Sequence, residues 1–212
     1  MAGTLRIVAI SDTHTKHDRL TIPDGDVLCH AGDFTNVGAL ADVERFNTFL
    51  GRLPHRHKIV IAGNHDVCFE HSPKEAQRLL THCTYLQDGA AEVEGVRFYG
   101  SPWQPWFYDW AFNLQRGLPL RQKWDLIPAG TDVLITHGPP HGIGDRCEDG
   151  RQVGCEELLA AVQRLRPRLH IFGHIHEGAG VTRGEHTTFI NASSLDARYR
   201  PVHAPVVFDL EV

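Results

Sequence analysis

Seven residues of metal-ligand type follow five short apolar runs in this sequence. Each run leads directly into a polar motif, and together the motifs supply Asp12, His14, Asp33, Asn64, His137, His174 and His176. Carboxylate oxygens, amide oxygens and neutral imidazole nitrogens are common protein ligands of divalent cations. Sites in open α/β sheets lie beyond the carboxyl ends of the strands. The motifs are therefore expected to meet at one place.

The spacing within two motifs suggests how the side chains point. His174 and His176 are separated by one residue, as are Asp12 and His14. In extended backbone, residues i and i+2 point to the same side, about 6.6 Å apart. Each pair is therefore expected to face one side of an extended segment. Taken singly, each motif has an ordinary explanation as a turn or helix cap. Five strand ends carrying such donors together favour a metal centre.

The elements that must position these residues are short strands alternating with helices. Five Val-, Ile- and Leu-rich runs predict strands buried on both faces, at residues 5–10, 26–30, 58–63, 132–138 and 169–174. Apolar spacing, proline and glycine predict helices at residues 39–50, 73–82 and 154–165. This alternation predicts an α/β fold with a largely parallel sheet.

Other segments predict a second sheet and one structured loop. Residues 90–100 and 180–193 each hold two strand-like runs around a glycine, which predicts hairpins, and VVFDLEV at the end alternates like a strand. A mixed or antiparallel second sheet is therefore expected. Residues 101–119 contain three tryptophans and predict a structured loop. Its Trp103, Trp106, Phe107 and Trp110 either pack against the sheet, the favoured interpretation, or stack on a nucleobase.

Length and composition bound the class of protein. With 212 residues, 42% hydrophobic and 22% charged, the chain predicts one globular domain over residues 1–212. The net charge of −5 and the lack of a Lys/Arg block make a nucleic-acid polymer an unexpected partner. Neither a secretory leader nor a membrane-spanning segment is predicted, and the five cysteines form no C-x-x-C pair. These features predict a cytoplasmic protein with reduced thiols, and they do not indicate an oligomeric state.

The five motifs together resemble the sequence blocks of the calcineurin-like metallophosphoesterases. The matching blocks are Asp12-x-His14, Gly32-Asp33, Gly63-Asn64-His65-Asp66, Thr136-His137-Gly138 and Gly173-His174-x-His176. The stretches GSPWQPWFYDWAFNLQRG, DVLITHGPP, VGCEELL and INAS are similar to a subgroup of metallophosphoesterase-domain-containing proteins first noted in brain. Some members of that subgroup carry glycine where this chain has His174.

The resemblance implies a two-sheet β-sandwich flanked by helices, in a four-layer αββα arrangement. It also implies two divalent ions bridged by one carboxylate. The first ion's ligands would be Asp12, His14, Asp33 and His176, and the second ion's would be Asp33, Asn64, His137 and His174. Imidazole-rich sites suit transition metals, so manganese is favoured, with iron, zinc or nickel as alternatives.

The resemblance further implies a reaction, namely hydrolysis of small phosphodiesters, cyclic nucleotides among them, by attack of metal-bound hydroxide on phosphorus. His65 matches the family's non-ligand histidine and would protonate the leaving oxygen or stabilise its charge. Asp66 is expected to orient His65 or to cap the next segment.

Other functions remain open at this point. A non-catalytic metal-binding scaffold is one, and a phosphomonoesterase or nuclease of the same superfamily is another. A zinc-dependent acyl hydrolase of the β-lactamase type would call for an H-x-H-x-D-H run near the second strand, which this sequence lacks.

Overall fold

Two mixed β-sheets form the centre of the fold in the computed structural model, which describes residues 3–212. The first sheet has the order β13-β1-β2-β3-β4. Its strands are β1 (Thr4–Ile10), β2 (Val27–His30), β3 (His57–Val60), β4 (Thr84–Tyr85) and β13 (Val206–Glu211). The strands β1 to β4 are parallel, and β13 runs antiparallel to β1.

The second sheet has a parallel centre and an antiparallel hairpin at each edge. Its order is β11-β12-β10-β9-β6-β5. Its strands are β5 (Gly89–Val93), β6 (Val96–Ser101), β9 (Val133–Thr136), β10 (Leu169–Phe172), β11 (Gly180–Arg183) and β12 (Thr188–Asn191). A small separate pair is formed by β7 (Gln104–Pro105) and β8 (Asn113–Leu114). The two predicted hairpins are therefore confirmed.

Helices cover the outer face of each sheet. The helices on the first sheet are α1 (Leu40–Arg52), α2 (Cys68–His71) and α3 (Pro73–Leu79). Those on the second sheet are α4 (Leu118–Trp124) and α5 (Glu156–Leu165). The helices α2 and α4 were not predicted from the sequence.

Alternating side chains along each strand explain the four layers. In β1, Ile7 and Ala9 point into an apolar core between the sheets, whereas Val8 and Ile10 point toward α1, α2 and α3. A third apolar core lies between the second sheet and its helices. Because both faces of the central strands are buried, those strands read as continuous apolar runs. The predicted αββα sandwich flanked by helices is confirmed.

The loop at residues 101–119, the cysteines and the lengths of the helices also bear on the sequence-based predictions. Residues 101–119 hold the pair β7–β8 and the start of α4 within a structured loop. All five cysteines are free thiols. Within residues 3–212, no helix combines the length and apolar character that a membrane crossing requires. The assignment of residues 1–212 to one domain stays a prediction.

Candidate metal centre

The predicted ligand residues lie together where strands of the two sheets end. Three sets of donor atoms each fit within 4.8 Å. The sets are Asp12 with His14 and His176, Asp33 with His137 and His174, and His14 with Asp33 and His65. Asn64 joins the second set, because its Oδ1 lies 2.8 Å from His137 Nε2. All seven residues are therefore brought together, and their role as metal ligands stays a prediction.

The Asp33 carboxylate lies between two halves of the site. One half contains Asp12, His14 and His176, and the other contains Asn64, His137 and His174. Its Oδ2 is 3.7 Å from His14 Nε2 and 3.4 Å from His137 Nε2. Its Oδ1 accepts a hydrogen bond from the His65 backbone N–H at 2.8 Å. One oxygen therefore faces both halves while the other fixes the carboxylate plane. The Oδ2 atom of Asp33 is therefore placed where it could bind a cation in either half.

His137 is held with one nitrogen facing the site. Its Nδ1 is 2.9 Å from the Ala31 carbonyl oxygen, which only accepts, so Nδ1 carries a proton. Its Nε2 then faces two acceptors, Asn64 Oδ1 and Asp33 Oδ2. Burial lowers the pKa of His137, but the Asp33 carboxylate outweighs it and raises that pKa to about 9. A proton or a metal cation satisfies this position.

His176 is held in the same manner in the other half. Its Nδ1 lies 3.0 Å from the Asp196 carbonyl oxygen, and its Nε2 lies 3.6 Å from Asp12 Oδ1. Burial opposes protonation, yet the hydrogen bond and charge of Asp12 raise the pKa of His176 to about 9. His137 and His176 are thus held in the same way. In each, a backbone carbonyl oxygen accepts from Nδ1–H and fixes the tautomer, and Nε2 points toward a carboxylate.

His14 supplies a test of whether the site suits a metal. Its side chain is 1% exposed, and neither ring nitrogen has a hydrogen-bond partner. Burial lowers the pKa of His14 to about 4, so the ring is neutral near neutral pH. A buried polar ring without partners is costly unless something binds it. A neutral imidazole beside two carboxylates is suited to a divalent transition metal.

The two carboxylates remain ionised although they are buried. Burial raises the pKa of Asp12, but the neighbouring His176, His137 and His14 lower it well below its usual range. The Ser193 hydroxyl also donates to Asp12 Oδ2 at 2.7 Å. Burial likewise raises the pKa of Asp33, and His137 and His14 lower it well below its usual range. The site therefore holds two negative charges for a cation.

The backbone at the strand ends differs from the sequence-based expectation. Asp12, His14, Asp33 and His174 have φ angles of 52°, 39°, 59° and 69°, in the left-handed region. His176 begins a 3-10 turn, His176–Gly178. The predicted extended backbone is therefore wrong for both i, i+2 pairs, although Asp12 and His14 still face the same half of the site. The chain turns sharply after each strand, and this turn sends His174 and His176 to different halves.

Two glycines allow the segments to approach closely. A Cβ at Gly173 would overlap Asp12 Oδ2 and Ser11 Oγ. A Cβ at Gly63 would overlap Asp33 Oδ1. Glycine is therefore required at both positions by space, because each backbone lies against a carboxylate of the site.

Asp66 secures a loop and does not contact the ring of His65. Its carboxylate accepts from the backbone N–H groups of Asp33, Gly63 and Thr35 at 2.8–2.9 Å, and from the Thr35 hydroxyl. Burial and the nearby Asp33 charge raise the pKa of Asp66 to about 7. The His65 ring is held instead through its Nδ1, 2.7 Å from the Asn36 carbonyl oxygen.

Aromatic rings border the site on both sides. Trp110 lies over His65, with ring centroids 4.1 Å apart, and Phe107 meets His174 edge-on at 5.8 Å. On the other side Tyr199 meets His14 at 4.7 Å, a residue that no sequence motif indicated. Trp103 packs against the apolar cores beneath the helices of both sheets and donates its Nε1–H to Asp88. The aromatic loop therefore divides into packing residues and residues at the site.

One side chain holds the backbone of the aromatic loop, residues 101–119, through hydrogen bonds. Asn113 Nδ2 donates to the carbonyl oxygens of Phe107, Tyr108 and Trp110. Despite this order, Trp106 and Tyr108 are 55% and 73% exposed. The loop that brings Phe107 and Trp110 to the candidate site thus also exposes large aromatic side chains to water, which is unusual for groups that only pack.

The αββα fold and the paired donor sets define a metallophosphoesterase. Residues 5–178 match the calcineurin-like phosphoesterase family. The chain belongs to that family.

Relatives and solved structures agree with this assignment. The chain is 50% identical to human "Metallophosphoesterase domain-containing protein 1", across 98% of this chain and 72% of that protein. It is 46% identical to a UPF0046 protein of Caenorhabditis elegans, across 97% and 81% of the two chains. A crystal structure with a TM-score of 0.74 and 16% identity covers 99% of both chains. TT1561 of Thermus thermophilus gives a TM-score of 0.59 at 15% identity and 99% coverage of each chain. The two structures support the fold alone.

The raised histidine pKa values predict how stability depends on pH without metal. A histidine pKa raised by folding gives stability that is fully present below about pH 6.5 and is lost as pH rises toward about 9. Buried histidines whose pKa folding lowers, such as His14, give the opposite slope around pH 6.5, where they take up protons only in the unfolded chain. In the presence of a chelator, the unfolding free energy is therefore expected to fall between about pH 7.5 and 9, where the two raised histidines release their protons. Urea titrations across this interval measure it.

A matched pair of variants identifies the groups responsible. His176→Asn is expected to reduce this slope, and His186→Asn, at an exposed histidine, to leave it unchanged. Stability that stays level or rises over the interval in the chelated protein would contradict the assigned electrostatics.

Proposed function

We propose that this chain is a dinuclear metal-dependent phosphoesterase that hydrolyses small phosphodiesters, cyclic nucleotides among them. The observation that carries the proposal is the position of Asp33 Oδ2, within 3.7 Å of His14 Nε2 and 3.4 Å of His137 Nε2. One carboxylate oxygen facing an imidazole in each half of the site would suit two cations about 3.5–4 Å apart.

The donor chemistry supports the choice of metal and its division between two positions. Asp12, His14, Asp33 and His176 would hold the first ion, and Asp33, Asn64, His137 and His174 the second. Nitrogen donors in this proportion favour manganese, iron, zinc or nickel over calcium, and manganese is our first choice. When bound, the ions would supply Lewis acidity that activates water and neutralises charge on the phosphoryl oxygens.

His65 is proposed to move the proton at the leaving group. Its Nδ1 is held by the Asn36 carbonyl oxygen, so its Nε2 is the atom available on the side of His14 and Asp33. A protonated Nε2 would donate to the leaving oxygen as the P–O bond breaks. Trp110 stacked on the ring limits its rotation, which keeps the donor aimed.

The aromatic border supports an organic ester as substrate. The half-exposed Phe107 meets His174 edge-on, and the exposed Tyr108 packs against Phe107. Flat apolar faces of this kind bind nucleobases and other planar groups by stacking. A substrate of nucleotide size would reach from the metal centre to these rings.

The proposed location is the cytoplasm, and the free thiols are consistent with a reducing compartment.

The direct test is turnover of bis-p-nitrophenyl phosphate by protein loaded with manganese, compared with p-nitrophenyl phosphate and with 2′,3′- and 3′,5′-cyclic nucleotides. We expect the diesters to be hydrolysed faster than the monoester. His65→Ala is expected to retain both ions and to lose about 10²–10⁴-fold of turnover. His186→Ala, at an exposed histidine that belongs to none of the candidate donor sets, is the matched control. Metal-loaded protein without turnover on the whole panel would favour a scaffold.

Asp33→Ala is expected to remove both ions together, because the same oxygen faces both halves of the site. Metal content after dialysis, measured by mass spectrometry, checks this outcome. Asn64→Ala is the comparison, since its amide contacts only the His137 half and should weaken one ion. Retention of two ions in Asp33→Ala would exclude the bridging role.

A further inference from the structure

Two buried histidines outside the metal centre make matching contacts in the two sheets. His30, at the end of β2, and His170, in β10, are both fully buried. Each lies on the strand parallel to and beside one that leads into the site, β2 beside β1 and β10 beside β9. Each contacts the threonine that directly precedes a candidate ligand histidine, Thr13 before His14 and Thr136 before His137.

The direction of the first hydrogen bond follows from its neighbours. The Gly32 backbone N–H donates to His30 Nδ1 at 3.2 Å, so Nδ1 is the unprotonated nitrogen. The Nε2–H of His30 therefore donates to Thr13 Oγ1 at 3.0 Å. The ring also packs edge-on against Phe34 and Phe46 in the core beneath α1. Burial lowers the pKa of His30 to about 3, which agrees with a neutral ring.

The second hydrogen bond has the same direction. The Thr136 hydroxyl donates to the Gly138 carbonyl oxygen at 2.8 Å, so it has no proton left for His170. The Nε2–H of His170 therefore donates to Thr136 Oγ1 at 2.8 Å. Its Nδ1 has no partner, as expected of the bare nitrogen of this tautomer. The ring packs between Phe172 and Phe189 in the outer core of the second sheet.

The two threonines lie in segments whose backbone conformation depends on surrounding contacts. Asp12, His14 and Thr15 all have left-handed φ angles around Thr13. Such residues keep that conformation only when surrounding contacts over-determine it. On the other side, Thr136 is tied both to His170 and to the carbonyl of Gly138, so it brackets His137. In each half the anchored threonine is covalently adjacent to the imidazole that faces Asp33.

We propose that His30–Thr13 and His170–Thr136 are a pair of positioning contacts, each of which fixes one of the two imidazoles on either side of Asp33. His30–Thr13 sets His14 and the first ion position, and His170–Thr136 sets His137 and the second. None of the four residues belongs to the candidate donor sets. The inference rests on the proposed metal centre for its consequence, although the two contacts themselves exist without metal.

The test separates the two halves by removing one hydroxyl at a time. Outer contacts of this kind typically contribute about 10–100-fold in metal affinity. Thr13→Val and Thr136→Val are each expected to weaken one of two manganese ions by that factor, measured by titration against a chelator. The double variant should weaken both. Thr13→Ser and Thr136→Ser keep the hydroxyl and should restore wild-type affinity, which a requirement for the threonine methyl alone would not produce.

Two results would overturn the inference. Valine variants that unfold more easily but keep both ions at wild-type affinity would mean that the contacts only stabilise the fold. Serine variants that behave like the valine variants would mean that the hydroxyl is not the anchoring group.

A second measurement tests the two histidine–threonine hydrogen bonds independently of catalysis. Nitrogen-15 spectra of the metal-free protein should show His30 and His170 as neutral Nε2–H tautomers. Protonated rings or Nδ1–H tautomers would exclude the proposed donors. If wild-type protein fails to bind two ions while the tautomers are as expected, the proposed function fails and the contacts remain.

Discussion

The carboxylate of Asp33 must lie between imidazoles that come from different sheets, and the rest of the site depends on this constraint. Asp33 and His14 follow strands of the first sheet, whereas His137, His174 and His176 follow strands of the second. Each half of the site therefore takes donors from both sheets. Packing of the apolar core between the sheets thus sets distances such as the 3.4 Å from Asp33 to His137. The candidate metal centre therefore depends on the packing of the two sheets and not on any single loop.

Burying so many polar groups has a cost that the structure offsets locally. Each carboxylate of the site accepts at least one backbone N–H, from His65 for Asp33 and from His174 for Asp12. Asp66 adds a third buried carboxylate that binds three backbone N–H groups around the Asp33 loop. Backbone in the left-handed region costs on the order of 1–3 kcal/mol per residue. Four of the candidate ligands carry this cost, namely Asp12, His14, Asp33 and His174.

Much of this arrangement could be predicted from the sequence, for identifiable physical reasons. Strands buried on both faces give continuous apolar runs, so five strand ends and their polar motifs were visible. The order of those motifs indicated the family and its fold. The turn at His174 was not visible, because one-residue spacing does not distinguish an extended segment from a left-handed turn. Tyr199 was missed since it lies in a surface turn without a motif, and it reaches His14 only through tertiary structure. The pairing of His30 with Thr13 is likewise a contact between segments that the sequence separates.

Anomalous diffraction from crystals grown with manganese, recorded at the manganese absorption edge, tests the central claim most directly. The account predicts two peaks about 3.5–4 Å apart. One would lie among Asp12, His14 and His176 and the other among Asn64, His137 and His174, with Asp33 Oδ2 between them. A single peak, or two peaks that do not share Asp33, would contradict it.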